Sequence, residues 1–261
     1  AQDYVKREKN NLFFLYYALQ QPHVPRTPSP KFVGSSGKGP RGDVIVEADW
    51  CVGQFLKTLE EEGLLENTLI VFSSDNGPVL NDGYFDDAVE KLGNHKPAGP
   101  YRGGKYSLFE AGTRVPFMTY WKGKIEASVT DAMVCQMDLL PSLAKLVELD
   151  IELADSKELL DVFLGKSSKG RDELVIEATS RTAYRKGDWV LIPPYEGVIK
   201  LEEVNIETGN FIDYQLYNLK DDTEQKNNLA KNNPEKLAEM IIAFEAIRGK
   251  DYKSIEKIEL K

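Results

Sequence analysis

Two short stretches of this 261-residue chain hold residue types that do chemistry together. In the first, the apolar run Leu69 to Phe72 breaks into Ser73, Ser74, Asp75, Asn76 and Gly77. It reads as a buried strand that delivers a carboxylate and an amide carbonyl at its carboxyl end, where open α/β sheets place ligands. These are the hard oxygen donors that Ca2+ or Mg2+ prefers. Asp-Asn-Gly is equally turn chemistry, and the residues alone leave both readings open. In the second stretch, Arg102, Gly103, Gly104 and Lys105 combine a backbone that can approach a ligand closely with a compact ammonium donor.

The charges around these stretches are sorted by sign. From Asp75 to Asn94, Asp75, Asp82, Asp86, Asp87 and Glu90 stand against Lys91. From His95 to Lys124, Lys96, Arg102, Lys105, Arg114, Lys122 and Lys124 stand against Glu110, in a chain of net charge -9. An acidic block abutting a basic, glycine-rich block can hold a cation beside an anionic group, although solvated surface is the plainer role for any one of these charges. A third candidate is His23. It follows the apolar run Leu12 to Ala18 and sits between Pro22 and Pro25, which predict a rigid, extended exit from a strand end.

The elements that must position these groups are legible in outline. Leu12 to Ala18 lacks alternation, as expected of a strand covered on both faces in a parallel sheet. After a Pro/Gly/Ser-rich loop, Asp43 is placed to cap a helix with Ile45, Ala48, Val52, Phe55, Leu56 and Leu59 at helical spacing, and Gly63 to stop it. Strand, helix and strand make a βαβ unit with parallel pairing, which brings His23 and Asp75 out on one sheet edge. The long stretch from Pro78 to Gly104 reads as a functional loop. Pro116 to Trp121 and Ala132 to Gln136 read as strands. Asp138 is placed to cap a helix that turns Leu139, Leu140, Leu143, Leu146 and Val147 inward. Beyond Gly165 the texture changes to short strands, Leu174 to Ala178, Trp189 to Ile192 and Gln215 to Leu219. A final amphipathic helix then runs from Asn233 and Pro234 to Gly249.

PHVP at Pro22 to Pro25, then SSDNG, then GGKYSLFEAGTRVP occur in an order that resembles the type I sulfatases, the formylglycine-dependent sulfuric ester hydrolases of the alkaline phosphatase superfamily. The resemblance runs from about Asn11 to the C-terminus. It implies an α/β fold, part of a three-layer sandwich with a mostly parallel sheet, over residues 1–172, and a small C-terminal α+β subdomain with an antiparallel sheet over residues 173–261. It further implies that Asp75 and Asn76 are ligands to Ca2+ and that Lys105 binds the sulfate. His23 would contact the sulfate and donate a proton to the leaving alkoxide, and Arg114 would have a structural ion-pair role. The residues then free to read a sulfated sugar are Asp82, Tyr84, His95 and Arg102, with galactose or N-acetylgalactosamine sulfates favoured as the carbohydrate substrate. The family's nucleophile motif, Cys or Ser followed by x-Pro-x-Arg, does not occur: Cys51 precedes Val-Gly-Gln and Cys135 precedes Gln-Met-Asp. The chain thus looks like the C-terminal half of a sulfatase, inactive by itself. The missing N-terminal half would supply the nucleophile and more ligands, and the cut sheet edge is expected to be buried by self-association or by altered strand pairing near Leu12 to Ala18. A phosphonate or phosphodiester hydrolase and a non-catalytic carbohydrate-binding module are the rival readings.

Composition narrows the classes. Apolar, aromatic and charged fractions of 41%, 10% and 29% are those of an ordinary globular protein. An acidic balance without a long Lys/Arg run argues against a nucleic-acid partner. No apolar stretch is long enough to span a bilayer, and the N-terminal residues lack the apolar core of a signal peptide. Two cysteines outside C-x-x-C spacing give no disulfide framework. Export to a bacterial periplasm, cell surface or medium is implied by the family alone.

Overall fold

Helix α2 (Gly39–Glu61) backs the first part of the fold. In this computed structural model, which describes residues 1–251, it begins before the expected cap, with Pro40 in the first turn where the missing N–H costs nothing. Asp43 is therefore not the cap. It is buried one turn in, and its carboxylate accepts the N–H groups of Gly34 and Ser36 at 2.7 and 2.9 Å, closing the preceding loop onto the helix. Gly63, at a φ of 70°, ends the helix, with Gly63 N–H bonded to Glu60 O and Leu64 N–H to Leu59 O. That pairing satisfies carbonyls the last turn would otherwise orphan.

A short helix not read from the sequence, α1 (Gln2–Glu8), lies against α2 and inserts Val5, fully buried, beside Leu59 and Leu65. Phe13 and Leu15 pack on this cluster, while Leu12, Phe14 and Tyr16 are 88%, 73% and 82% exposed. Residues 12–18 are thus one-sided, and they form no ladder among the described residues. The expected parallel pair with the Asp75 strand is absent. That strand, β1 (Ile70–Ser73), pairs instead with β2 (Phe117–Tyr120), antiparallel, with Ile70 opposite Tyr120 and Ser73 opposite Phe117. Both β1, through Ile70, and residues 12–18 lean on the same helical layer.

Residues 132–136 form no strand: Gln136 already opens a short 3-10 turn, and the Met133 carbonyl accepts the Arg171 N–H at 2.7 Å. Helix α3 (Leu139–Leu146) follows, burying Pro141 and Ser142 but leaving Leu140 and, just past its end, Val147 exposed, so its apolar face is only partly covered. Asp138 ahead of it is fully buried. It accepts the N–H groups of Cys135 and Lys157 and a two-nitrogen clasp from Arg171. After the one-turn α4 (Leu160–Phe163) comes a four-stranded antiparallel sheet. It holds β3 (Glu173–Ala178), β4 (Arg181–Lys186), β5 (Trp189–Ile192) and, after the small hairpin β6 (Lys200–Leu201) and β7 (Ile206–Glu207), β8 (Gln215–Asn218), in the order β3-β4-β5-β8. Helix α5 (Pro234–Arg248) packs Met240 and Phe244 over it. Leu108 and Phe109, from the stretch just after Lys105, are buried in this same core. The two parts of the chain therefore share a core at the point where the Lys105 turn meets the second sheet.

Candidate active site

The two motif-bearing stretches are joined by their backbones. Gly77 N–H donates to Gly112 O at 2.8 Å and Lys105 N–H to Pro78 O at 3.0 Å. The approach is close enough that a Cβ at Gly77 would lie 1.6 Å from Ala111 O, and one at Gly104 2.4 Å from Pro78 O. Glycine is required at both places for steric reasons alone. Beyond β1, Asp75 Oδ1 accepts the Asn76 N–H at 2.9 Å, and the Asn76 amide donates to Gly77 O, also at 2.9 Å. Asp75 is exposed and has no cationic partner among the described residues.

Lys105 stands at the centre of the second group. Its Nζ lies 2.7 Å from Asp82 Oδ2 and 3.3 Å from His23 Nε2, and Tyr106 Oη donates to Asp82 Oδ1 at 2.9 Å. His23 Nε2 is 3.9 Å from Asp82 Oδ2. On its other side His23 Nδ1 donates to Val24 O at 2.7 Å, which leaves Nε2 as the nitrogen that exchanges protons. Burial alone would raise the Asp82 carboxyl, but hydrogen bonds from Lys105 and Tyr106 outweigh it and hold Asp82 below the usual carboxylate range. Burial would likewise lower Lys105, but its interactions with Asp82 and Tyr106 together outweigh that, so the ammonium is held above its ordinary value.

Arg26, three residues past His23, was not singled out from the sequence, yet it moors both sides of this group. Its buried guanidinium donates to Pro22 O at 3.0 Å, to Val79 O and Leu80 O at 3.3 and 2.8 Å, and to Asp86. The available signal was a lone cation beside PHVP and an acidic pair, Asp86 and Asp87, in the facing loop. His23 itself sits in a tight turn, its N–H bonded to Gln20 O at 2.9 Å, rather than on the extended exit its prolines suggest.

The residues expected to read a sugar divide. Asp82 uses both oxygens on Lys105 and Tyr106. Arg102 is held by Glu207, with Nε and Nη2 at 2.7 and 2.6 Å from its oxygens, by Gln225 O at 2.7 Å, and by stacking 4.0 Å over the Phe109 ring. Its guanidinium ties the Lys105 turn to the β6–β7 hairpin and to the loop that holds Gln225. Tyr84 and His95 are exposed, and neither side chain has a hydrogen-bond partner among the described residues. Arg114 makes the ion pair its position suggested, with Nη1 3.0 Å from buried Glu110, which also binds Arg185 Nη1 at 2.5 Å.

For a divalent cation the fit is good in kind and incomplete in number. Asp75 and Asn76 Oδ1 are oxygen donors of the right hardness, but among the described residues no group of three or more His, Cys, Asp or Glu side chains could hold a metal. A Ca2+ site takes about six to eight oxygens, so most ligands would have to come from outside this set. The arrangement otherwise offers a cation with a spare donor next to a proton-exchanging imidazole. That pairing suits an anionic group whose leaving oxygen must be protonated.

Residues 1–149 match the family model described as Sulfatase. The chain is 41% identical over 252 residues to an N-acetylgalactosamine-6-O-sulfatase of Bacteroides thetaiotaomicron, which covers 95% of this chain and 49% of that protein. It is 36% identical over 171 residues to the N-acetylgalactosamine-6-sulfatase of the dog, Canis lupus familiaris, covering 63% of this chain and 31% of that protein. A solved structure from work on the metabolism of multiple glycosaminoglycans by Bacteroides thetaiotaomicron superposes with a TM-score of 0.91 at 41% identity, over 94% of this chain and 52% of that one. The chain thus spans at most about half the length of these relatives, and over that span it has their α/β fold.

Proposed function

Because the chain belongs to the sulfatase family, we propose that it supplies one side of the active site of a sugar sulfatase, with N-acetylgalactosamine 6-sulfate the first-choice substrate. The observation that carries this is the grouping of His23, Lys105 and Asp82, with Lys105 Nζ 3.3 Å from His23 Nε2. In this reading the Lys105 ammonium binds a sulfuryl oxygen and stabilises charge as the S–O bond lengthens, a preorganised electrostatic contribution. His23, protonated on Nε2, acts as general acid to the departing sugar oxygen. Tyr84 and His95, exposed on the loop beside this group, are the side chains free to touch the sugar.

Asp75 and Asn76 are this chain's ligands to Ca2+. When bound, the ion supplies positive charge next to the sulfate. No Cys/Ser-x-Pro-x-Arg motif lies within the 261 residues, so the chain by itself is expected to turn over no sulfate ester. Among the described residues no helix is long and apolar enough to cross a membrane, and we assign the sulfatase to an exported compartment on family grounds.

The substrate assignment follows the printed names of the Bacteroides and dog relatives. Its test uses a gene product that contains this chain together with the formylglycine motif, offered N-acetylgalactosamine 6-sulfate, glucosamine 6-sulfate and a phosphodiester. The reading expects kcat/KM on the first to exceed the others by about tenfold or more. Preference for the phosphodiester would replace it with the rival chemistry.

A further inference from the structure

We propose that Asp82 is a positioning residue, anchored by Tyr106, that seats the Lys105 ammonium beside the His23 imidazole and offsets its charge there; this rests on the roles given above to His23 and Lys105. The problem it solves is electrostatic. A general acid at His23 must carry a second proton on the nitrogen that faces Lys105, and a like charge at 3.3 Å opposes that protonation. Asp82 Oδ2, 3.9 Å from the same nitrogen and 2.7 Å from the ammonium, places a compensating negative charge beside both. The charged and titratable groups facing Asp82 are Lys105, Tyr106 and His23.

Two further features mark the carboxylate as built in rather than as a surface group free to meet a sugar. Its side chain is 14% exposed, and both oxygens are engaged. Tyr106, which holds Oδ1, has a φ of 78°, a left-handed conformation that a tyrosine keeps only where surrounding structure enforces it. Here that backbone turn accompanies a phenol reaching Asp82. The spacing to His23 is also set structurally: the Arg26 guanidinium binds Pro22 O on one side and Val79 O and Leu80 O on the other, so the two loops are tied by one group.

The test on the chain itself uses its two histidines. The ring signals of His23 and His95 are followed by NMR against pH in the wild type and in Asp82→Asn, with His95→Ala to assign them. The proposal expects the His23 midpoint to fall by about half a pH unit in Asp82→Asn while that of His95 stays put. Tyr106→Phe, which removes a single hydroxyl, should shift His23 in the same direction by less, and it keeps the test open if Asp82→Asn does not fold. An unchanged or raised His23 midpoint in the folded variants overturns the proposal. No sulfate ester takes part, so the outcome is independent of the sulfatase reading. In the active gene product, Asp82→Asn should lower kcat on a sugar sulfate with KM little changed, and lower it less on 4-nitrophenyl sulfate, whose phenolate departs without a proton. A raised KM for the sugar sulfate with kcat unchanged makes Asp82 a sugar reader and overturns the positioning role.

Discussion

The side-chain carbonyl of Gln225 accepts the backbone N–H of Glu110 at 2.7 Å, joining the C-terminal part of the chain to the stretch that follows Lys105. Gln225 is fully buried, and its own backbone carbonyl accepts Arg102 Nη1 at 2.7 Å. One residue thus holds both flanks of the Lys105 turn. Gln225→Ala would leave the buried Glu110 N–H without a partner and open a cavity, a loss of about 2 kcal/mol or more in urea unfolding. A change below about 0.5 kcal/mol would show that the turn does not depend on this clasp.

Arg171 and Asp138 form the most enclosed ion pair of the first part, with side chains 7% and 0% exposed. The Asp138 carboxylate also carries the N–H groups of Cys135 and Lys157, so it stays buried if its cation is removed. Arg171→Ala is therefore expected to cost about 3–5 kcal/mol, more than any exposed pair. Loss of less than about 1 kcal/mol would indicate that the backbone donors alone satisfy the charge.

Acid should destabilise the fold through specific carboxylates. Glu207 is held below its usual range by the Arg102 hydrogen bond, and Asp43 is lowered because the bonds from Ser36 and Gly34 outweigh its burial. A depressed folded value means that the unfolded chain binds more protons in the window between the two. These groups therefore stabilise fully above the unfolded value of about 4 and lose that contribution as pH falls through the lower folded values. Unfolding free energy measured from about pH 6 to pH 3 should decline on the acid side, and Asp43→Asn should flatten the decline. An equally steep curve in the variant would remove Asp43 from the account.

The exposed face of residues 12–18 is an association hazard, because Leu12, Phe14 and Tyr16 point outward from extended backbone without a ladder partner among the described residues. Light scattering of the chain is expected to show species heavier than a monomer, and the pair Phe14→Lys and Tyr16→Lys to shift them toward the monomer. A monomer at all concentrations would mean that this face is tolerated in water.

What the sequence disclosed follows from how locally each element is specified. Trp189 to Ile192 is apolar throughout and forms β5, with Val190, Leu191 and Ile192 buried; Asn233, Pro234 and Gly249 bracket α5 with their own backbone preferences. Helix α1 was missed because Val5 is its one fully buried side chain, and β4 because Arg181, Arg185 and Lys186 mask buried Ala183 and Tyr184. Residues 12–18 were apolar enough for a covered strand, yet a strand needs a neighbour, and pairing is not a local property. At the site, His23 and Lys105 stood out by motif. Tyr106 and Arg26 did not, since one depends on a left-handed backbone and the other on carbonyls more than fifty residues away along the chain. Arg102 and Asp82 had the right chemistry for a sugar, but tertiary partners the sequence does not reveal already hold them.

The central claim is that His23 and Lys105 act on one sulfate ester. Its most direct test is kcat/KM for N-acetylgalactosamine 6-sulfate in a gene product that contains this chain and the formylglycine motif, compared with its Lys105→Ala and His23→Ala variants. The account predicts a fall of about a hundredfold or more for each, with folding intact by circular dichroism. Activity within about tenfold of wild type in either variant would contradict it.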